Sequence, residues 1–138
     1  MLISEARAHT TRTPEEVWEL WATPSRWPEW DPDVASVSFS APFSPGAKGM
    51  LKPTHGPRLR WKLESVTVGQ SFVTSSRLPG ATVLFIHELL PDRGRHEVVH
   101  RIEMTGWATP ILSKLLGPRV APNLVTAVRN IAGITEEA

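Results

Sequence analysis

Two histidines on neighbouring predicted strands are the residues best suited to chemistry. His87 and His100 each lie on the apolar face of a strand, because side chains alternate between its two faces. Their companions are Val83, Phe85 and Leu89 for His87, and Val98, Ile102 and Met104 for His100. If both faces turn inward, the imidazoles could share a water molecule, orient a carbonyl group, or serve as acid and base near neutral pH. The alternative is that each histidine packs at a sheet edge or makes one structural hydrogen bond. The register of the hairpin around residues 91–95 determines how far apart the two imidazoles lie and whether both face inward.

Several other kinds of site lack their essential residues. No Asp or Glu shares the two histidine faces, so a site of two histidines and one carboxylate is incomplete. Glu64 and Glu103 fall on the opposite faces, where exposure to solvent is expected. The chain has no Cys, no Gly-x-Ser-x-Gly elbow and no glycine-rich phosphate loop. The sequence therefore predicts no metal and no cofactor.

Tryptophan is the other unusual feature, with six Trp and no Tyr. Four of the six, Trp18, Trp21, Trp27 and Trp30, fall within thirteen positions. As structural residues, they would anchor the first helix and the following turn against the sheet. As functional residues, Trp27 and Trp30 would form the rim of a cavity and stack on a planar ligand.

Helices at both ends enclose the strands that carry these residues. Thr13, Pro14 and Glu16 give three signals for a helix start, and the helix is predicted to end near Ala22. A short helical turn follows within residues 27–32. At the other end, Thr109 is predicted as an N-cap for a helix over residues 111–134. Its predicted apolar stripe consists of Leu112, Leu115, Leu116, Leu124, Val128 and Ile131. Pro118 and Pro122 predict a short first piece, a kink and a longer second piece.

Seven strands are predicted from alternation and from turns that contain Gly or Pro. They cover residues 3–10, 34–40, 49–53, 58–68, 71–78, 81–90 and 95–105. The 138-residue length fits one domain, which we predict over residues 1–138.

The order of these elements and three segments carry a family resemblance. The segments are TPEEVWELWATPSRWPEWDPDV, SRLPGA and VVHRIEMTGWATPILSKLLG. They resemble the polyketide cyclase/dehydrase branch of the START-like superfamily, which shares its fold with the birch-pollen allergen group. The resemblance implies an α+β helix-grip fold. In that fold a seven-stranded curved antiparallel sheet wraps around a long C-terminal helix, with two short helices after the first strand.

A sheet curved around a helix encloses a cavity, and alternation predicts which side chains line it. Leu59, Trp61 and Leu63 share the inward face of their strand. The predicted ligand-binding residues are Trp27, Trp30, Leu59, Trp61, Leu63, Phe85, Met104, Leu124 and Val128, and the candidate catalytic residues are His87 and His100.

The resemblance implies binding of a hydrophobic small molecule that is polyketide-, aromatic- or lipid-like. Cyclisation or dehydration of that molecule, without a metal, is the enzymatic form of this hypothesis, with the two histidines as proton shuttles. The alternatives are a carrier or sensor without catalysis, and a co-chaperone-like interaction module that acts through its outer surface.

Charge and hydropathy indicate partners and location. The net charge of +1 gives no bulk reason for nucleic-acid binding. Residues 34–63 nevertheless hold five bases and no acid; these are Lys48, Lys52, Arg58, Arg60 and Lys62. They form either an ordinary solvated sheet face or a docking face for an acidic partner such as an acyl carrier protein. No secretory signal or membrane span is predicted, so a cytoplasmic protein is expected, as a monomer or a homodimer.

Overall fold

One antiparallel sheet and a long helix dominate the computed structural model, which describes residues 1–134. The α-helices are α1 (Pro14–Ala22), α2 (Trp27–Trp30) and α3 (Thr109–Ala132), and a 3-10 turn (Pro24–Arg26) leads into α2. The strands are β1 (Leu2–Thr10), β2 (Val34–Ser38), β3 (Lys48–Pro53), β4 (Leu59–Thr67), β5 (Ser71–Leu78), β6 (Ala81–Asp92) and β7 (Arg95–Thr105).

The seven strands form a single sheet in the order β1-β7-β6-β5-β4-β3-β2. The sheet curves around α3, which packs against β1 and β7. The predicted helix-grip fold, with two short helices after the first strand, is confirmed. The predicted domain over residues 1–138 stays a prediction, and its last four residues lie outside the described residues.

Helix α1 begins as the sequence predicts. The Thr13 hydroxyl accepts a hydrogen bond from the Glu16 backbone N–H at 3.1 Å, and the Glu16 carboxylate accepts one from the Thr13 N–H at 3.1 Å. This capping box satisfies two backbone donors that a helix start leaves without partners. The helix buries Val17, Leu20 and Trp21.

Two indole N–H groups tie α2 beneath α1. Trp27 Nε1 donates to the Trp21 carbonyl at 2.8 Å, and Trp30 Nε1 donates to the Leu20 carbonyl at 3.2 Å. These bonds stabilise the buried position of both rings, because an unpaired N–H in the core is costly. The two rings are thereby held facing the concave side of the sheet.

The β6–β7 hairpin fixes the positions of the two histidines. The predicted turn over residues 91–94 is shorter in the structure, because Arg93 and Gly94, with φ of 52° and 80°, form a two-residue turn. Strand β6 therefore runs to Asp92, which pairs with Arg95. From that pair the register continues without a bulge and brings His87 directly opposite His100.

Helix α3 is continuous from Thr109 to Ala132, so the prediction of two pieces is wrong. Pro118 and Pro122 lie on its exposed side. The carbonyls that lose their N–H partners there can bond to water, while the opposite side of the helix packs on the sheet.

The start of α3 also differs from the prediction. Ala108, not Thr109, occupies the N-cap position. Thr109 is buried, and its hydroxyl has no hydrogen-bond partner among residues 1–134. Leu115, predicted in the buried stripe, is exposed.

Candidate functional site

A cavity of about 560 Å³ lies between the concave face of the sheet and α3. Its volume falls within the range typical of small-molecule sites, about 300–1,000 Å³. Its wall is mainly apolar. The apolar lining residues include Trp27, Trp30, Leu59, Trp61, Phe72, Leu78, Val83, Phe85, Ile102, Met104, Leu116, Val120, Leu124 and Ala127.

Seven of the nine predicted ligand-binding residues line this cavity. They are Trp27, Trp30, Leu59, Trp61, Phe85, Met104 and Leu124. Leu63 and Val128 do not line it, although both point inward. They are fully buried in the packed core, where neighbouring side chains cover them. For all nine residues, a contact with ligand stays a prediction.

The two histidines come together on the sheet side of the cavity. His87 is 9% exposed, His100 is 2% exposed, and their ring centroids are 4.6 Å apart. Phe72 stacks flat on His87 at 4.0 Å. Trp21 and Trp30 flank both imidazoles at centroid distances of 5.6–6.0 Å. Aromatic rings thus pack around the imidazole pair.

Burial keeps both imidazoles neutral. Desolvation lowers the pKa of His87 to about 3, against a smaller opposing effect of the nearby Phe72 backbone. Desolvation also lowers the pKa of His100 well below its ordinary value, and the neighbouring His87 lowers it further. Neutral imidazoles can donate and accept hydrogen bonds. Desolvation opposes the charged form that a proton shuttle must adopt, so the proton-shuttle role stays a prediction that this environment disfavours.

Each imidazole retains an unused ring nitrogen. His87 Nδ1 and His100 Nε2 are buried and have no hydrogen-bond partner among residues 1–134. Thr74 and Ser76 add buried hydroxyl-bearing side chains to the same cavity from β5. The sheet side of the cavity is therefore a polar strip within an apolar wall.

A carboxyl group that strand alternation did not reveal also faces the cavity. Asp31 follows α2 and lines the cavity, and its carboxylate accepts the Asp33 backbone N–H at 2.9 Å. Desolvation raises the pKa of Asp31 to about 6, the Asp33 N–H opposes this shift, and the Asp33 charge adds to it. The Asp-Pro-Asp sequence after Trp30 signals a turn, but it does not show which way the side chain points.

Polar and charged residues gather at the mouth of the cavity. Besides Asp31 they are Asp33, Thr54, His55, Arg119 and Asn123. Asn123 of α3 donates to the Asp33 carboxylate, and the Thr54 N–H donates to the Asp33 carbonyl at 2.9 Å. These bonds join α3, the β3–β4 loop and the α2–β2 link around the opening.

The outer face of the sheet carries the predicted basic residues. Lys48 lies directly opposite Lys62, and Arg60 lies opposite Met50. Like charges in facing positions destabilise a strand pair. Among residues 1–134, none of Lys48, Lys52, Arg58, Arg60 and Lys62 forms an ion pair. Glu64 is exposed, as predicted, and accepts a hydrogen bond from the Ser75 hydroxyl at 2.7 Å.

A smaller cleft of about 320 Å³ lies beside α1, and its lining includes Arg12, Glu16, Glu19, Arg26 and Glu29. Arg26 is already paired with Glu29 at 3.0 Å. No group of three or more His, Asp or Glu side chains in the described part of the chain could hold a metal ion. In that part, no helix is long and apolar enough to cross a bilayer.

The model of the family described as polyketide cyclase / dehydrase and lipid transport matches residues 1–133. The chain belongs to this family. The family and the cavity together give a fold that binds hydrophobic ligands. No curated protein matches the chain.

Several solved structures share the fold. The chain is similar to the di-domain ARO/CYC StfQ from the steffimycin biosynthetic pathway, with a TM-score of 0.77 and 17% identity over 94% of this chain and 49% of StfQ. It spans about half the length of StfQ. It is also similar to Ara h 8.0201, with a TM-score of 0.62 and 11% identity over 94% of this chain and 93% of that one. A hypothetical protein from Helicobacter pylori aligns with a TM-score of 0.75 and 7% identity, over 96% and 87% of the two chains.

Proposed function

We propose that this protein binds a hydrophobic, polyketide-, aromatic- or lipid-like small molecule whose oxygen atom hydrogen-bonds to the His87–His100 pair. The observation that carries the proposal is a pair of buried ring nitrogens without hydrogen-bond partners among residues 1–134, on two histidines that line an apolar cavity. A buried polar atom without a partner costs about 1–3 kcal/mol. A carbonyl or hydroxyl group on the ligand would satisfy these nitrogens.

Asp31 gives the ligand a second polar contact. Its carboxyl lies with Asp33 and Asn123 around the mouth, where it can accept a hydrogen bond from a ligand hydroxyl. An elongated ligand with oxygens separated by an apolar ring system or chain fits this distribution of polar groups. Purely hydrocarbon ligands would leave both polar regions unsatisfied.

The low pKa of both histidines favours binding without His-based proton transfer, as in a carrier or sensor. In the cyclase or dehydrase form of the proposal, the cavity folds a reactive chain into one shape. Asp31, with a pKa of about 6, would then be the better matched acid or base near neutral pH. A co-chaperone-like module has less support, because the interior holds a cavity.

Direct binding measurements test the proposal. Isothermal titration calorimetry with naphthalene and 2-naphthol compares a hydrocarbon with its hydroxylated form. We expect 2-naphthol to bind about fivefold more tightly, since one satisfied hydrogen bond contributes about 1 kcal/mol. His87→Leu and His100→Leu should remove this preference, whereas His96→Gln, outside the cavity lining, should retain it. Equal affinities in the wild-type protein would contradict the proposal.

Native mass spectrometry of protein purified from its own host would identify the natural ligand. The expected result is a co-purified molecule of hydrophobic character that carries at least one oxygen. A cytoplasmic location stays a prediction alongside this proposal.

A carrier-bound ligand is the second form of the proposal. The unpaired bases on the outer sheet, with Lys48 directly opposite Lys62, support docking of an acidic acyl carrier protein. The wild-type protein should bind an acyl carrier protein at low salt. This binding should weaken at high salt, and it should also weaken in the double variant Lys48→Gln/Lys62→Gln. Absence of any interaction at low salt would exclude this partner and leave ligand binding in the cavity intact.

A further inference from the structure

The exposed side of α3 has an unusual composition. Its residues recur three or four positions apart, as one face of a helix requires. We call them the outer stripe, and they are Ile111, Lys114, Leu115, Pro118, Arg119, Pro122, Val125 and Thr126. Five of these eight residues are apolar and none is acidic. Helix faces in contact with water are normally dominated by polar and charged residues.

Trp107 extends this apolar surface at the start of the helix. Its side chain is 83% exposed, and those of Ile111 and Leu115 are 64% and 61% exposed. The indole lies against Gly80, where an added Cβ atom would come within 2.7 Å of the ring. Gly80 thus leaves room for a large apolar ring that faces solvent. Contiguous exposed apolar surface of this kind marks an interaction site.

The charge of the outer stripe itself is positive. Residues 104–135 contain no Asp or Glu, and Lys114 and Arg119 are exposed within the outer stripe. The acids closest in sequence or contact are already bonded. Glu103 is 3.8 Å from Arg101, and Asp33 accepts a hydrogen bond from Asn123. A basic, apolar helix face beside an exposed Trp is typical of segments that lie on anionic membranes.

The same surface adjoins the mouth of the cavity. Arg119 belongs to the outer stripe and also lines the cavity. Thr54 and His55, on the opposite side of the mouth, are exposed. A bilayer in contact with the outer stripe would therefore lie beside the opening through which an apolar molecule enters.

We propose that Trp107 and the outer stripe form a docking face for an anionic lipid bilayer. The apolar side chains enter the interfacial region, and Lys114 and Arg119 contact lipid phosphates. This proposal goes beyond ligand binding, because the docking does not depend on which molecule occupies the cavity.

Co-sedimentation with vesicles tests the docking face. Vesicles of phosphatidylcholine alone are compared with vesicles of phosphatidylcholine and phosphatidylglycerol at low salt. We expect binding only to the anionic vesicles. Lys114→Gln/Arg119→Gln should weaken it by roughly 30-fold, because each base near an anionic surface contributes a factor of about five. Ile111→Gln/Leu115→Gln should abolish it.

Val68→Gln is the matched control, because Val68 is 77% exposed on the β4–β5 turn. It should bind vesicles as the wild-type protein does. Circular dichroism checks that all variants keep their fold, and calorimetry with 2-naphthol checks the cavity independently. No binding to anionic vesicles, or binding that Ile111→Gln/Leu115→Gln leaves unchanged, would overturn the proposal. Sedimentation velocity showing a dimer that this variant dissociates, without vesicle binding, would assign the face to a second copy and overturn it too.

Discussion

The buried histidine pair makes the stability of this protein depend on pH. In the unfolded chain each imidazole titrates near pH 6.5, whereas in the folded protein burial lowers both pKa values, that of His87 to about 3. Below pH 6.5 the unfolded state therefore binds more protons than the folded state. The stability that the neutral imidazoles contribute is fully present above this pH, and it decreases as the pH falls toward their folded-state pKa values.

The pKa of His87 sets the minimum size of this effect. Between pH 7 and pH 5 the buried His87 imidazole lowers the free energy of unfolding by about 2 kcal/mol, and His100 lowers it further in the same direction. Asp31 acts in the opposite direction, because its folded-state pKa of about 6 lies above its ordinary value of 3.8. Protonation of Asp31 raises the free energy of unfolding by about 1 kcal/mol between pH 7 and pH 5. His87 and Asp31 together therefore give a net loss of about 1 kcal/mol, and His100 makes the loss larger.

Urea denaturation at pH 7 and pH 5, followed by circular dichroism, measures this loss. His87→Leu/His100→Leu should abolish the decrease and show a small gain, about 1 kcal/mol from Asp31. His55→Gln, which removes an exposed imidazole, should keep the wild-type decrease. A double variant that still loses stability to the same extent as the wild-type protein would show that the histidine pair is not the cause.

Three further substitutions test the packing around the cavity, each by urea denaturation. Gly49→Ala should lower the free energy of unfolding by about 1–3 kcal/mol, since the new Cβ would overlap the Trp61 ring and lie 2.9 Å from the Ser38 carbonyl. An unchanged denaturation midpoint would show that the Trp61 ring moves aside freely. Gly117→Ala should raise the free energy of unfolding by about 0.5–1 kcal/mol, because Ala favours the helix and its Cβ meets nothing closer than 3.9 Å. A lower free energy of unfolding would indicate strain at this position. Thr10→Val should lower the free energy of unfolding by about 1–3 kcal/mol, because it removes the buried 2.8 Å hydrogen bond from the Thr10 hydroxyl to the Ala132 carbonyl. An unchanged free energy would mean that water replaces the hydroxyl as a partner.

Local signals in the sequence predict much of this fold. Thr13, Pro14 and Glu16 act within one turn of helix, so their prediction needs no tertiary information. Alternation predicts the inward face of β4 equally well, and Trp61 indeed lines the cavity. The helix breaks predicted from Pro118 and Pro122 are wrong, because packing of the opposite face keeps α3 continuous.

The candidate site is only partly visible in the sequence. Alternation places His87 and His100 on apolar faces, but their contact depends on the two-residue turn at Arg93 and Gly94. Asp31 lies in a link between elements, where no periodicity assigns a direction to the side chain. Leu63 shares its face with Trp61, yet only the three-dimensional packing shows that other side chains cover it.

The distribution of indoles has an optical consequence. Because the chain has no Tyr, its near-ultraviolet emission comes from Trp alone. Trp27, Trp30 and Trp61 line the cavity, whereas Trp107 stands in solvent on the docking face. In Trp107→Phe the remaining emission reports mainly on buried rings, so quenching by a bound molecule reads cavity occupancy. The difference between this variant and the wild-type protein isolates the signal of Trp107, whose blue shift on vesicles would report contact with lipid.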